Sequence, residues 1–429
     1  RIDSGKVILE NCDFSGSENW VIQVGQAGQL ELRDVRFGNL GQGAINQLGG
    51  EVKLFGCQFD MAGESVLNAT SGSLFEAHKV VVSNTMGVGI NLSGINEVWL
   101  DSVQVTNSFQ DGIVLSNCEY ILINQVESRE NGRMGLSVDG GTICGLMNYS
   151  GLGNLVVGLS ISDLDTLRIL NSEFIGNGES GAKIHSTKRT RMAGVRIGHN
   201  GAQGLSLRGG NDLLISRSSF QANPLIALDV DSVKFVVLDQ VSVVSNGAGV
   251  RLSNFETSEL VNNLMTTNRG TAATLEGGER VSATANLIKA NQQGLVINNV
   301  LHLDIDSNRV VSNETGSSFE AIPNIMMQNN VWEANQTGSY FSEIGLMTTT
   351  NDLWDSNTES AMEVLSAKDI IIKNARVVNN RTGLLLHNVS AKIESSVLDS
   401  SQGFALRLMN GSMAISQSKF SSNKTAIGL

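Results

Sequence analysis

Proline is nearly missing from this sequence, with 2 in 429 residues, and aromatic side chains make up only 5% of it. Glycine, at 46, is abundant, and asparagine and serine are plentiful. That mixture suits many tight turns joined by short strands. No apolar run reaches the roughly 18 residues that a transmembrane helix needs, so no membrane span is expected. Basic residues are outnumbered 30 to 42, for a formal net charge of −12 and a pI near 5.0. A general nucleic-acid binder carries a basic footprint, so nucleic acid is set aside as a partner, and the acidic surface mainly favours solubility. Cysteine is scarce, at 4. Cys12 and Cys57 fall at the same place two repeats apart, about 9 to 10 Å between Cα atoms at ~4.8 Å per layer, too far for a disulfide. Cys118 and Cys144 sit at different places in the repeat, and all four read as small buried hydrophobes. Zinc-type spacing, a phosphate loop and a nucleophile elbow are lacking too, and neither a metal nor a cofactor is expected.

What the sequence does have is a repeat. An asparagine returns every 22 or 23 residues or so, at Asn84, Asn107, Asn131, Asn154, Asn177, Asn200, Asn223, Asn246, Asn268, Asn291, Asn313, Asn335, Asn357 and Asn380. The series skips one coil at Ser401-Gln402-Gly403 and closes at Asn423. From Asn84 to Asn177 each asparagine is followed four or five residues later by a glycine and then by an alternating apolar segment, as in Asn177-Gly-Glu-Ser-Gly181-Ala-Lys-Ile. Residues 1–73 carry a looser version, marked by a column of Phe14, Phe37 and Phe59, and 74–429 a regular one. An unbroken repeat overrides the length-based expectation of several globular domains, so 1–429 reads as a single solenoid domain. Within a coil such as 212–234, period-two alternation occurs in three stretches separated by turns, giving three short strands per coil. A leucine-rich repeat is rejected because no stretch has helical spacing and the asparagine precedes the strand. A propeller would need a longer period of roughly 40 residues.

The motif Asn-x-x-x-Gly-[Ile/Leu/Val]-x-[Leu/Val/Ile], repeated along essentially the whole chain, resembles that of the right-handed parallel β-helix family, the pectate-lyase-like solenoids. The resemblance implies an all-β right-handed parallel β-helix of about nineteen coils, with the recurring asparagine stacked in a tight turn. Asparagine tolerates the left-handed conformation and its side chains can bond the layers above and below. Three residues before the ladder position runs an apolar column that includes Phe174, Phe220, Trp332, Trp354, Val377 and Phe420, so the two tryptophans are assigned to the core. Trp99, between Val98 and Leu100, should point outward and is a surface-binding candidate. A second polar column, Asn263, Asn286, Asn308 and Asn330, is expected to stack in another turn.

Residues 180–211 hold Lys183, Lys188, Arg189, Arg191, Arg196 and Arg208 without an acidic residue. Alternation places Lys183, His185, Arg208, Asp229 and Asp231 on one outward patch, where an acidic sugar could pair with the cations and an Asp or His could move a proton. Asp229/Asp231 and Asp304/Asp306 are carboxylate pairs with Cα atoms about 7 Å apart, compatible with a solvated face, calcium or a hydrolase. The family's Asn-Thr-Asp, Arg-Ile-Lys, Asp-Pro-His and Gly-His-Gly signatures are absent, which argues against hydrolase and epimerase activity. No coil carries an insertion that would wall a cleft. The sequence therefore favours a non-enzymatic extracellular or cell-surface role as a stalk, adhesin or fibre component presenting polar faces to glycans or other surface proteins. The alternative is a carbohydrate-active enzyme, most plausibly a polysaccharide lyase using the Lys183 to Asp231 patch. The chain begins at Arg1 and ends at Leu429 within part-coils that together make one repeat, which fits a segment of a longer β-helical protein or head-to-tail self-association.

Overall fold

The structure is a computed structural model and describes residues 1–428. It is all-β: the described residues form strands and turns with no helix, and strand pairs between coils are parallel. The chain divides into two compact units, Arg1–Leu213 and a second from Leu214 onward. Among the described residues, nineteen short strands of three to five residues, one per coil, set the number of turns.

A coil of the first unit illustrates the plan. The first straight segment, Ala182–His185, ends at Ser186; the second, Arg189–Ala193, ends at Gly194; the third, Arg196–Gly198, ends at His199. These three corner residues have φ of 49°, 65° and 55°, the left-handed region that turns a strand abruptly within one residue. In many coils the first two segments run through their corner as one bent strand, as in Met134–Met147 and Gln293–Asp306. Stacking such coils pairs each segment with its copy one turn on, as in Ile184 with Leu207 and Met192 with Ile169.

From Asn131 to Asn380 the ladder asparagines occupy the residue after the third corner and are buried. Asn177 shows the bonding: its Oδ1 accepts from the backbone N–H of Asn154 at 3.0 Å, and its Nδ2 donates to Asn200 Oδ1 at 3.0 Å and Gly151 O at 3.0 Å. A backbone amide at a corner has no strand partner, and the side-chain amide of the next coil supplies one. The same pattern runs from Asn246 through Asn380 in the second unit, and Asn423 accepts from Ser401 N at 2.8 Å. The left-handed residue is therefore the one before the asparagine, and it can be Glu130, Ala222 or Thr267. Asparagine is chosen for its amide rather than for its φ. Two of the sequence assignments shift by one residue in consequence. Asn84 and Asn107 are exposed, have φ of 55° each, and sit at the corner; Thr85 and Ser108 take the buried ladder position there.

The core follows the apolar columns. Phe14, Phe37 and Phe59 stack with ring centroids 5.1 and 4.9 Å apart. Trp332 and Trp354 are buried and stacked at 4.9 Å, and their indole N–H groups donate to Ser317 and Ser339 hydroxyls at 2.9 Å. Where the column carries only Ser128 and Gly151, Tyr149 is buried instead, with its hydroxyl on Gly158 O. Gly181 is needed because a Cβ there would lie 2.5 Å from Ile197 Cγ2 and 2.8 Å from Asn200 Nδ2. The second polar column also forms a ladder, Asn263 to Asn286 to Asn308 to Asn330, with Asp352 taking the next position.

Candidate functional site

Two outward faces of the first unit carry the candidate residues. The first-segment face is polar. Asn46, Asn68 and Asn91 are in register and hydrogen-bonded side chain to side chain at 3.0 and 2.9 Å. Farther along the same column, after an interruption at Val114, stand Ser137, Ser160 and Lys183; beside it run Ser116, Asp139, Ser162, His185 and Arg208. Lys183 and His185 thus share this face with Arg208, as alternation implies.

Their chemistry is modest. Lys183 forms an exposed ion pair with Glu179 at 2.9 Å, and Lys188 pairs with Asp165 at 2.6 Å, so part of the basic zone is neutralised by acids from outside it. Asp139, Ser162 and His185 lie on consecutive coils, but the Ser162 hydroxyl donates to Asp139. A nucleophilic relay needs that hydroxyl directed at the imidazole. In the second unit Asp229 is buried and held by Arg251 in a two-pronged pair, Nε to Oδ1 and Nη2 to Oδ2, both 2.8 Å. Asp231 accepts from Ser253 Oγ and Asn254 Nδ2 at 2.8 Å. Asp304 pairs with Arg280, and Asp306 accepts from Ser307 and Asn329. Both carboxylate pairs are thereby engaged coil to coil. Among the described residues no three His, Cys, Asp or Glu side chains converge as metal ligands.

Trp99 lies elsewhere, on the second-segment face. The structure does not bring it together with Lys183, His185 and Arg208. It heads a shallow hollow of about 300 Å³ lined by Tyr120, Leu122, Ile143, Met147, Leu170 and Arg168. Trp99, Tyr120 and Leu122 are 44%, 45% and 48% exposed. One column through this face reads Glu76, Trp99, Leu122, Gly145, Arg168, Arg191 on six successive coils. Reasoning from sequence found Trp99 and missed its neighbours, because Tyr120-Ile-Leu-Ile looks like a uniformly apolar run. The signal was available: all six members of the column are 23 residues apart.

Parallel coils closed by side-chain ladders define a parallel β-solenoid. The chain belongs to the right handed beta helix region family, which matches residues 65–220 and 135–320. No curated protein sequence matches it. Among solved structures, it is similar to tailspike protein 3 of bacteriophage CBA120, at 10% identity over 93% of this chain, with a TM-score of 0.34; the match spans only 57% of the tailspike chain. It is also similar to a mutant of the periplasmic alginate epimerase AlgG, at 14% identity over 78% of this chain and 77% of that one, TM-score 0.34. The A-module of the Azotobacter vinelandii mannuronan C-5 epimerase AlgE4 matches at 11% identity over 98% and 91% of the two chains, TM-score 0.26. No helix of the described chain is long and apolar enough to cross a membrane.

Proposed function

We propose that this chain is an extracellular or cell-surface β-helical scaffold, a stalk, adhesin or fibre component, whose first-segment face binds glycans without cleaving them. The observation that carries the reading is the outward register of amides, hydroxyls and cations from Asn46 to Lys183 and Arg208. Such a row offers donors and acceptors at the ~4.8 Å coil spacing, and sugar hydroxyls can exchange their water contacts for it. The Lys183–Glu179 pair is exposed, so it contributes little and the ammonium can turn to an anionic group. Among the described residues nothing on this face encloses a substrate: the coils lack long loops, and the adjacent Ser, His and Asp are bonded in the wrong order for a relay.

The test is affinity electrophoresis against a panel of acidic and neutral polysaccharides, with the Lys183→Ala/Arg208→Ala double variant beside the parent. Retarded migration of the parent on at least one polysaccharide, weakened in the variant, is expected. Migration unaffected by every polysaccharide would remove the proposal.

A further inference from the structure

The second-segment face of the first unit combines three properties that glycan binding on the other face leaves unused. Its centre is apolar and exposed: Trp99, Tyr120, Leu122, Ile143, Met147 and Leu170 are all more than a third exposed. Contiguous apolar surface of this kind marks a docking site. Its composition, aromatic residues with Met and Arg, is that of the centre of a protein interface. Arg168 and Arg191 are exposed and make no ion pair among the described residues, whereas Glu76 at the far end of the same column is held by Lys53 at 3.3 Å and His78 at 2.8 Å.

The order of residues along the column identifies the occupant. It runs acid, indole, leucine, glycine, arginine, arginine, and this order is complementary to its own reverse. Consider a two-fold axis in the plane of the face, parallel to the strands and passing between Leu122 and Gly145. It sets Leu122 against Gly145 of a second copy, Trp99 against Arg168, and Glu76 against Arg191; in the flanking columns Tyr120 meets Ile143, while Met147 and Leu170 meet Asn124 and Asp101 at the margin. Each contact then occurs twice, as a two-fold interface requires. The pairs are a knob in a hollow, a guanidinium on an indole and an ion pair.

Gly145 strengthens the assignment. Its φ is not left-handed, and a Cβ there would meet nothing closer than Leu122 Cδ1 at 3.5 Å, an ordinary contact. The fold does not require glycine at this position, yet without a side chain it leaves the hollow. We infer that this face is a self-complementary docking surface on which a second copy of the chain packs with its coils running in the opposite direction. Six coils of ~4.8 Å by five residues of ~3.3 Å give a face of about 30 by 17 Å, on the order of 500 Å² per copy. About 1,000 Å² in total is at the low end for specific complexes, so a dimer of micromolar affinity is expected.

Sedimentation equilibrium across a micromolar concentration range tests this. The parent should pass from monomer to dimer, and Gly145→Leu, which fills the hollow, should weaken association by tenfold or so with an unchanged melting temperature. Arg168→Glu and Arg191→Glu should each weaken it, because they replace the cations that meet Trp99 and Glu76 of the second copy, whereas Arg168→Lys and Arg191→Lys keep those cations and should not. A parent that stays monomeric overturns the inference. So does a dimer indifferent to Gly145→Leu and the charge reversals, or polysaccharide binding that Trp99→Ala abolishes in a monomeric protein.

Discussion

Replacing Asp352 by asparagine should stabilise the protein at neutral pH and do little in acid. Asp352 stands in a buried column that is otherwise asparagine for four coils, and it accepts from the backbone N–H and the Nδ2 of Asn330 at 2.6 and 3.0 Å, and from the Thr349 hydroxyl. Burial is the largest influence on its carboxyl and pushes its pKa from 3.8 up to about 6, against the hydrogen bonds that pull it down. A folded pKa above the unfolded one means that the native state holds its proton more tightly. Its contribution to stability is therefore complete below about pH 4 and is lost as pH rises through about 6. The shift of some two units corresponds to about 3 kcal/mol. Asparagine carries no charge at any of these pH values, and its amide can donate as Asn308 Nδ2 donates to Ala283 O and Asn330 Nδ2 to Ile305 O. Thr349 then turns from donor to acceptor. Urea unfolding of parent and Asp352→Asn at a series of pH values gives the difference in stability, from which the other carboxylates cancel. That difference should grow by about 2.5 kcal/mol in favour of the variant between pH 4 and pH 7. A difference that stays level across this range would refute the reasoning.

Four further outcomes concern the ladders and the core. Asn177→Ala orphans the Asn154 backbone N–H and removes the donor to Gly151 O, costing about 3 kcal/mol in urea unfolding. Asn84→Ala, at an exposed corner, should cost within about 0.5 kcal/mol beyond its effect on φ preference; equal losses at the two sites would undo the phase correction. Trp354→Ala should cost about 3–5 kcal/mol through the cavity and the lost stack on Trp332. Trp354→Phe should cost about 1–2 kcal/mol, because it keeps a ring but strands the Ser339 hydroxyl; a melting temperature unmoved by either change would take the indole out of the core.

The coiled architecture was legible because each coil repeats one solution to one problem, and copies at a fixed spacing reinforce each other. The apolar column with Trp332 and Trp354 and the polar column from Asn263 to Asn330 both read correctly for that reason. The phase error at Asn84 and Asn107 arose because asparagine is favoured at two adjacent positions on different grounds, a left-handed φ at one and a side-chain amide at the next. The 24-residue step from Asn107 to Asn131 was the trace of the change. Asp352 follows Asn330 by 22 residues and could have been assigned to the second ladder on spacing alone. The candidate site was harder to read. Alternation says which side chains point outward, but not that Asp229 is already clamped by Arg251 from the next coil, or that Trp99 and Lys183 lie on different faces. Those facts depend on how far apart the segments of a coil turn, and only the corners set that.

The central functional claim is that the polar face binds without chemistry. It is tested most directly by prolonged incubation of the protein with acidic and neutral polysaccharides, reading new reducing ends and unsaturated uronate absorbance for the parent and for Lys183→Ala/Arg208→Ala. No product is expected from any polysaccharide, including one that the protein binds. Product formed by the parent and lost in the double variant would contradict it and make that face the active site of an enzyme.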